Sequence, residues 1–303
     1  MDPLIVNLLK KQKVDSTMYY SHVGLFYPKG RFQFTRKKFE ELFNIYCNST
    51  GLKGIAEKSG QFIPLIADID LKLELMEDED IDSLYTFEDV KKVVKVYQKT
   101  LKQVLNEVTD DKLICLLLEK EAYFVHKNEK RYLKNGYHLH FPYIFINKID
   151  QEIHILPRIK KELKKINLDN LDNSHIKNPW LMYGSTKNEK QKPYLVTKCY
   201  NKKLEEISLN DALKTYHIYD NNEELINFVK DIRYYLPRIL SIRIYGRDEY
   251  IVDIKPNLPS LIKNNIIKNN ENPQIKQFRK LTITENLIKI RELMPLISDW
   301  RAE

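Results

Sequence analysis

Residues 64–72 read PLIADIDLK, that is Pro64-Leu65-Ile66-Ala67-Asp68-Ile69-Asp70-Leu71-Lys72. The run is apolar and rich in strand formers, yet two aspartates interrupt it at i and i+2. Successive side chains on a strand alternate faces, so the stretch predicts a strand on which Asp68 and Asp70 point the same way. Two carboxylates on one face repel each other unless a cation sits between them. Hard oxygen donors of this kind suit Mg²⁺ or Mn²⁺. The bland alternative is an exposed strand end whose polar face holds two acids.

The surrounding composition narrows the choice. A chain of 303 residues makes one large domain or a domain plus a smaller one, and a hydrophobic fraction of 43% supports a real core. The formal net charge of +8 points to an anionic partner such as nucleic acid, although a Lys-, Asn- and Ile-rich, Gly-poor composition also arises from AT-rich coding. Cys47, Cys115 and Cys199 lie far apart without a CxxC pair. That argues against a zinc knuckle and a disulfide framework, and fits a reducing compartment. No apolar run approaches the roughly 18 residues of a membrane span, and the N-terminus MDPLIVNLLKKQK lacks a signal-peptide cleavage pattern.

Strand and helix signals alternate without a fixed repeat. Residues 17–34 predict two strands around a Pro-Lys-Gly turn. Thr35 reads as an N-cap, followed by Phe39, Leu42, Phe43 and Tyr46 at helical spacing. Thr86-Phe87-Glu88-Asp89 resembles a capping box and opens an apolar helical face of Val90, Val93, Val94, Tyr97, Leu101, Val104 and Leu105. Further strands are expected at 113–118, 122–126, 136–146, 179–185 and 194–200, with Pro142 marking a bulge or an edge. A helix is expected from Asp150, with that side chain as its cap. From about residue 206 the chain turns polar and helix-prone. Residues 264–274 read as a linker and 284–300 as a helix running to Pro295. A boundary is expected near 220, giving a catalytic domain over 1–220 and a mainly helical connector over 221–303. The chain stops just after Trp300 without a terminating signal, as a piece of a longer protein would.

Two more stretches carry chemistry. In Lys134-Asn135-Gly136-Tyr137-His138-Leu139-His140-Phe141-Pro142, both histidines share a strand face behind a basic run of Lys127, Lys130, Arg131 and Lys134. Gly136 lets a backbone or a phosphate come close. A lone strand histidine is usually structural; two on one face suit an anion or a metal. In DNSHIKNPWLMYGSTK, residues 172–187, an acid precedes an apolar strand that breaks at Gly184-Ser185-Thr186-Lys187. Such a turn can offer N–H groups and an ammonium to phosphate, or it is an ordinary turn with a surface lysine.

An hhhDhD strand, a small-x-His strand, then an acid with a strand and basic turn is the motif order of archaeo-eukaryotic primases. The sequence resembles that family in PLIADIDL, NGYHLHFP and DNSHIKNPWLMYGSTK, over roughly residues 15–243. The likeness is strongest to the primase half of the primase-helicases of large cytoplasmic DNA viruses, poxvirus and asfarvirus relatives included, in NPWLMYGS and in YLPRILSIR at 235–243.

The resemblance implies an α/β (α+β) primase fold, with an RRM-like catalytic sheet beside a smaller N-terminal αβ portion. It implies template-directed primer synthesis from nucleoside triphosphates by two-metal nucleotidyl transfer. Asp68, Asp70 and Asp172 match the metal ligands, with Asp169 close enough to be confused with the last. His138 matches the histidine that contacts the incoming phosphates. Lys134 and Lys187 sit where relatives carry basic residues facing the triphosphate, and Ser185 is a further candidate. Mg²⁺ or Mn²⁺, a single-stranded DNA template, a helicase region in the same full-length chain and a site of action in the host cytoplasm are implied too, with no membrane partner. Arg31, Arg36, Lys37 and Lys38 are candidates for the template groove, or simply a solvated helix face.

The sequence departs from the family at Gly136, which removes a hydroxyl some relatives carry, and at Trp180-Leu181-Met182-Tyr183, where relatives carry an arginine. Lys187 is the expected replacement charge. Two rivals remain. His138-Leu139-His140 also fits the His-hydrophobic-His pattern of HUH-type rolling-circle nicking enzymes, in which a tyrosine attacks DNA. A non-catalytic RRM-like nucleic-acid-binding module is the other.

Overall fold

The computed structural model describes residues 1–76, 81–168, 171–172 and 176–259. Asp169, the linker at 264–274 and the helix expected at 284–300 lie outside the described residues.

The strands run in chain order as β1 (Lys13–Val14), β2 (His22–Gly24), β3 (Gly30–Phe32), β4 (Ile55–Glu57), β5 (Phe62–Leu75) and β6 (Cys115–Glu119). Then follow β7 (Tyr123–Lys127), β8 (Lys130–Asn147), β9 (Leu171–Asp172), β10 (Trp180–Leu181), β11 (Leu195–Tyr200) and β12 (Glu206–Ile207). The helices that matter here are α1 (Pro3–Lys11), α2 (Arg36–Asn48), α3 (Phe87–Val104), α4 (Leu156–Lys165), α5 (Leu209–Leu213) and α6 (Ile232–Ile239). Among the described residues they organise two sheets. The smaller has the order β1-β3-β2-β4-β10, and the larger the order β12-β11-β6-β8-β5-β9 with β7 also on β8. This is the mixed α/β architecture expected, with a small N-terminal αβ portion beside a main sheet.

Local chemistry explains most element ends. Thr35 caps α2 by accepting from Lys38 N, and Thr86 forms the full capping box with Asp89 at the start of α3. The helix expected from Asp150 starts earlier. Asn147 caps it by accepting from Ile149 N, and a π turn over Gln151–Ile155 leads into α4. The strand expected over 179–185 shrinks to the two residues of β10, because Gly184 adopts φ +81° and the chain turns there.

Strand β8 pairs with β5 along nearly its whole length, from Phe62 opposite Asn147 to Leu75 opposite Arg131. The ladder slips between Pro64, opposite Phe145, and Leu65, opposite Phe141, so Pro142, Tyr143 and Ile144 bulge out. The expected role of Pro142 is thereby met. An odd insertion reverses the alternation. Leu139 and Phe141 pack on one face before the bulge, and Ile144 and Ile146 pack on that same face after it.

That face is covered by Val90, Val93, Tyr97 and Leu101 of α3 and Ile159 and Leu163 of α4. The opposite face carries the candidate site at one end. At the other end, Leu116, Tyr143 and Phe145 pack with Leu213, Ile218, Phe228, Ile232, Leu236 and Ile239. A third cluster joins α1 and α2 to the small sheet through Leu9, Phe32, Phe39, Leu42 and Tyr46.

The compact unit runs Met1–Pro259, past the boundary expected near 220. Residues 228–250 contribute to the core just named. They are also laced to the N-terminal part by buried charge. Glu57, fully buried, accepts from Ser241 Oγ at 2.6 Å and Ile242 N at 2.9 Å. The Arg238 guanidinium pairs with Glu40, and Arg247 donates to Ile239 O at 2.8 Å, which closes the end of α6.

Gly136 lies where β8 presses on β5. A Cβ there would stand 2.3 Å from Ile69 O, so the close approach foreseen from sequence is that of the neighbouring strand. Gly136→Ala should cost on the order of 1–3 kcal/mol, as overpacking against backbone does. Gly60→Ala, whose added Cβ would meet Phe62 O at an ordinary 3.7 Å, serves as the control. Thermal unfolding of both variants checks this; matching midpoints would show that the strands yield without strain.

Candidate active site

The site begins as one row across the main sheet. Asp68 on β5 stands opposite Asp172 on β9 and, on its other side, opposite His138 on β8. Directly opposed residues share a face. Two residues further along β5, Asp70 stands opposite Gly136, whose missing side chain leaves the carboxylate uncrowded; the next pair on that face is Lys72 opposite Lys134. Strand alternation therefore delivers three acids, a histidine and two lysines to one face.

A cleft of about 270 Å³ opens over this wall, and its lining includes Asp68, Asp70, Asp172, His138, Lys134 and Lys187. Residues more than a hundred positions apart in sequence thus meet in one place. Within it, His138 Nε2 lies 3.2 Å from Asp68 Oδ1. The imidazole stacks on the Tyr194 ring with centroids 3.6 Å apart and planes at 26°, and Trp180 stands at 4.5 Å on a tilt.

The cleft lining also holds Lys120, Tyr123 and Tyr194, which sequence reading did not single out. Lys120 Nζ lies 4.4 Å from the Tyr194 centroid and 5.0 Å from that of Tyr123. Burial pulls its ammonium below the usual lysine range. Lys187 adds to that shift, and Asp70 and Asp68 oppose it. Burial likewise pushes the Tyr194 hydroxyl up. Lys120, Lys134 and Lys187 together give the cleft three cations. Beyond Lys120, Tyr123 and Gln191 the cleft continues into a groove of about 530 Å³ between β7 and residues 188–192.

Ser185 is not part of the cleft lining. Its buried hydroxyl accepts from Ile55 N at 3.1 Å and pairs with the Tyr46 hydroxyl at 2.8 Å, fastening the Gly-Ser-Thr-Lys turn to the small sheet. Of the proposed template-groove residues, Lys38 is paired with Glu41 at 2.7 Å and Arg36 donates to Asp220 O at 3.3 Å, on α2. Arg31 belongs to a different cluster, on β3, with its guanidinium over Tyr20.

The donor chemistry of the acidic wall suits a hard divalent ion: three carboxylates and no thiol on one face. Among the described residues, no three His, Cys, Asp or Glu side chains already converge as a group able to hold one. A shared ion would require rotamer changes in the acids, including at Asp68, which now meets His138.

His140 differs from its neighbour. It is 3% exposed, lines a small space of about 20 Å³ together with His138, and its Nε2 has no hydrogen-bond partner among the described residues. Burial drives its pKa down to about 3, helped by Arg247 and His138. His22, also fully buried, is shifted in the same direction by burial, against the pull of Glu57. A depressed folded-state pKa means the unfolded chain binds more protons below pH ~6.5, the ordinary histidine value. Stability from these rings is therefore complete above that pH and is lost as pH falls toward the folded-state values. Urea unfolding between about pH 7.5 and 4.5 should show a shallower loss for His140→Gln than for the unaltered chain. Parallel profiles would mean that His140 charges without penalty.

Comparison with known proteins identifies the family of the chain. The model of the family described as "C962R protein N-terminal AEP domain", an archaeo-eukaryotic primase domain, matches residues 21–200, more than half of the chain. "Putative helicase 121R" of Invertebrate iridescent virus 3 is 30% identical over 305 aligned residues, covering 93% of this chain and 32% of that protein. "Putative helicase 184R" of Invertebrate iridescent virus 6 is 30% identical, covering 74% of this chain and 25% of the other. "Putative helicase L207/L206" of Acanthamoeba polyphaga mimivirus is 26% identical, covering 96% and 32%. The chain thus spans between a quarter and a third of the length of these relatives. From the acidic strand, the histidine strand opposite it and the match across both, the chain belongs to the archaeo-eukaryotic primase domain family of the C962R type.

Proposed function

We propose that this chain is the catalytic primase part of a viral primase-helicase, making primers on single-stranded DNA from nucleoside triphosphates. The observation that carries the reading is the row Asp172–Asp68–His138, with Asp70 beside it and three lysines around it. Asp68, Asp70 and Asp172 would hold Mg²⁺ or Mn²⁺. Bound there, such ions lower the pKa of the attacking 3′-hydroxyl and offset charge on the phosphates. His138, oriented by Asp68 and by the Tyr194 ring, donates a hydrogen bond to a phosphate oxygen of the incoming nucleotide. Lys120, Lys134 and Lys187 receive the remaining negative charge of the triphosphate. The helicase names of the longer relatives support a helicase region elsewhere in the full-length protein, and replication in the host cytoplasm fits three free cysteines. No helix among the described residues is long and apolar enough to cross a membrane.

The reading is tested by primer synthesis on a single-stranded template with labelled nucleotide and either metal. Asp68→Asn combined with Asp70→Asn should abolish incorporation, and Asp172→Ala should remove most of it. Metal-free thermal stability of the double variant should be equal or higher, since two neighbouring carboxylates no longer repel. Normal synthesis by the folded double variant would sink the proposal.

The histidines give a second test. His138→Ala should weaken nucleotide binding by about 1.5–3 kcal/mol, roughly ten- to a hundred-fold in apparent KM. His140→Ala should leave KM nearly unchanged and act on stability, because that ring is enclosed. In a nicking enzyme both would be metal ligands. Equal losses, with a covalent 5′-phosphotyrosine adduct on a nicked strand, would establish the nickase instead.

A further inference from the structure

The cleft sets three lysines against three carboxylates within about 270 Å³, too small a volume for a long strand, which needs contacts beyond it. The small sheet offers such a surface. Tyr19 is 57% exposed, and Lys58 Nζ lies 5.3 Å from its ring centroid and 4.2 Å from that of Tyr20. The Arg31 guanidinium stands 4.7 Å from the Tyr20 centroid. The two rings thus share Lys58, and Arg31 adds a second cation. The segment that carries them is anchored where Arg31 donates to Ser16 O, and Tyr19 lies close to the Arg243 guanidinium.

The pairing of β4 with β10 links this cluster to the rim of the cleft. Glu57 on β4 pairs with Trp180 on β10, which places Lys58, the next residue, alongside Pro179. Pro179 and Trp180 both line the cleft. Lys58 is therefore the residue of the cluster nearest the cleft along the chain pairing, one register step from Trp180.

We infer that Tyr19, Tyr20, Arg31 and Lys58 form a stacking platform for unpaired bases of a single-stranded nucleic acid, leading that strand to the cleft. Every base has a π face, so the rings hold a strand without reading its sequence, while the cations neutralise phosphates. Identifying the strand as the template rests on the nucleotidyl-transfer reading; the platform itself does not.

The test is fluorescence anisotropy of the full chain with a labelled oligodeoxythymidine across a salt series, beside primer synthesis on the same oligonucleotide. Tyr19→Ala with Tyr20→Ala should weaken binding about ten-fold or more, and Tyr19→Phe with Tyr20→Phe should stay within about two-fold. Arg31→Ala with Lys58→Ala should flatten the dependence of log K on log salt by about 0.7 for each phosphate that is no longer neutralised. Tyr19→Ala alone, at an exposed position, guards against misfolding of the pair and should show a smaller loss in the same direction. Unchanged affinity in a folded Tyr19→Ala, or no binding by the unaltered chain, overturns the platform. Weakened binding in a chain whose parent makes no primers keeps the platform and removes nucleotidyl transfer. Normal synthesis with unchanged binding does the reverse.

Discussion

The register of β5 against β8 is the constraint on which the rest depends. Side chains alternate with a period of two, so a slip of one residue would send Asp68, Asp70 and His138 into the helix-covered core. It would also turn Ile69, Leu139 and Tyr137 out to solvent. Burial of the apolar set fixes the polar set, and Gly136 sharpens this by admitting no side chain at the closest approach to Ile69. The site is held in place by hydrophobic packing on the reverse face of the same two strands, under α3 and α4.

The carboxylates and the histidine were legible because alternation is a local property. Asp68, Asp70 and His138 need only their immediate neighbours in sequence to be placed on a face. Lys120 and Tyr194 were not legible. Lys120 follows an apolar run and reads as an ordinary strand-end lysine; it reaches the cleft because the chain leaves the sheet between β6 and β7. Tyr194 reaches His138 through the antiparallel pairing of β11 with β6, which no local pattern encodes. The Gly-Ser-Thr-Lys turn was seen as a turn, but its geometry leaves open which side chain goes inward. Lys187 faces the cleft and Ser185 faces the small sheet.

The boundary near 220 was misplaced for a related reason. Phe228, Ile232, Leu236 and Ile239 do recur at helical spacing, but Pro237 and the polar residues around them mask the pattern. Their partners, Tyr143 and Phe145, lie far back in the sequence. The segment YLPRILSIR, part of the family likeness, supplies Arg238 and Ser241, whose partners Glu40 and Glu57 belong to the N-terminal portion. It acts as a clasp between the two halves of the fold.

The bulge at Pro142–Ile144 has a mechanical meaning. It divides β8 into two lengths whose side-chain phases are independent. One half answers to the needs of chemistry and the other to those of packing beneath the clasp. The bulge thus lets one continuous strand present His138 to the cleft and Tyr143 and Phe145 to the packing of residues 213–239.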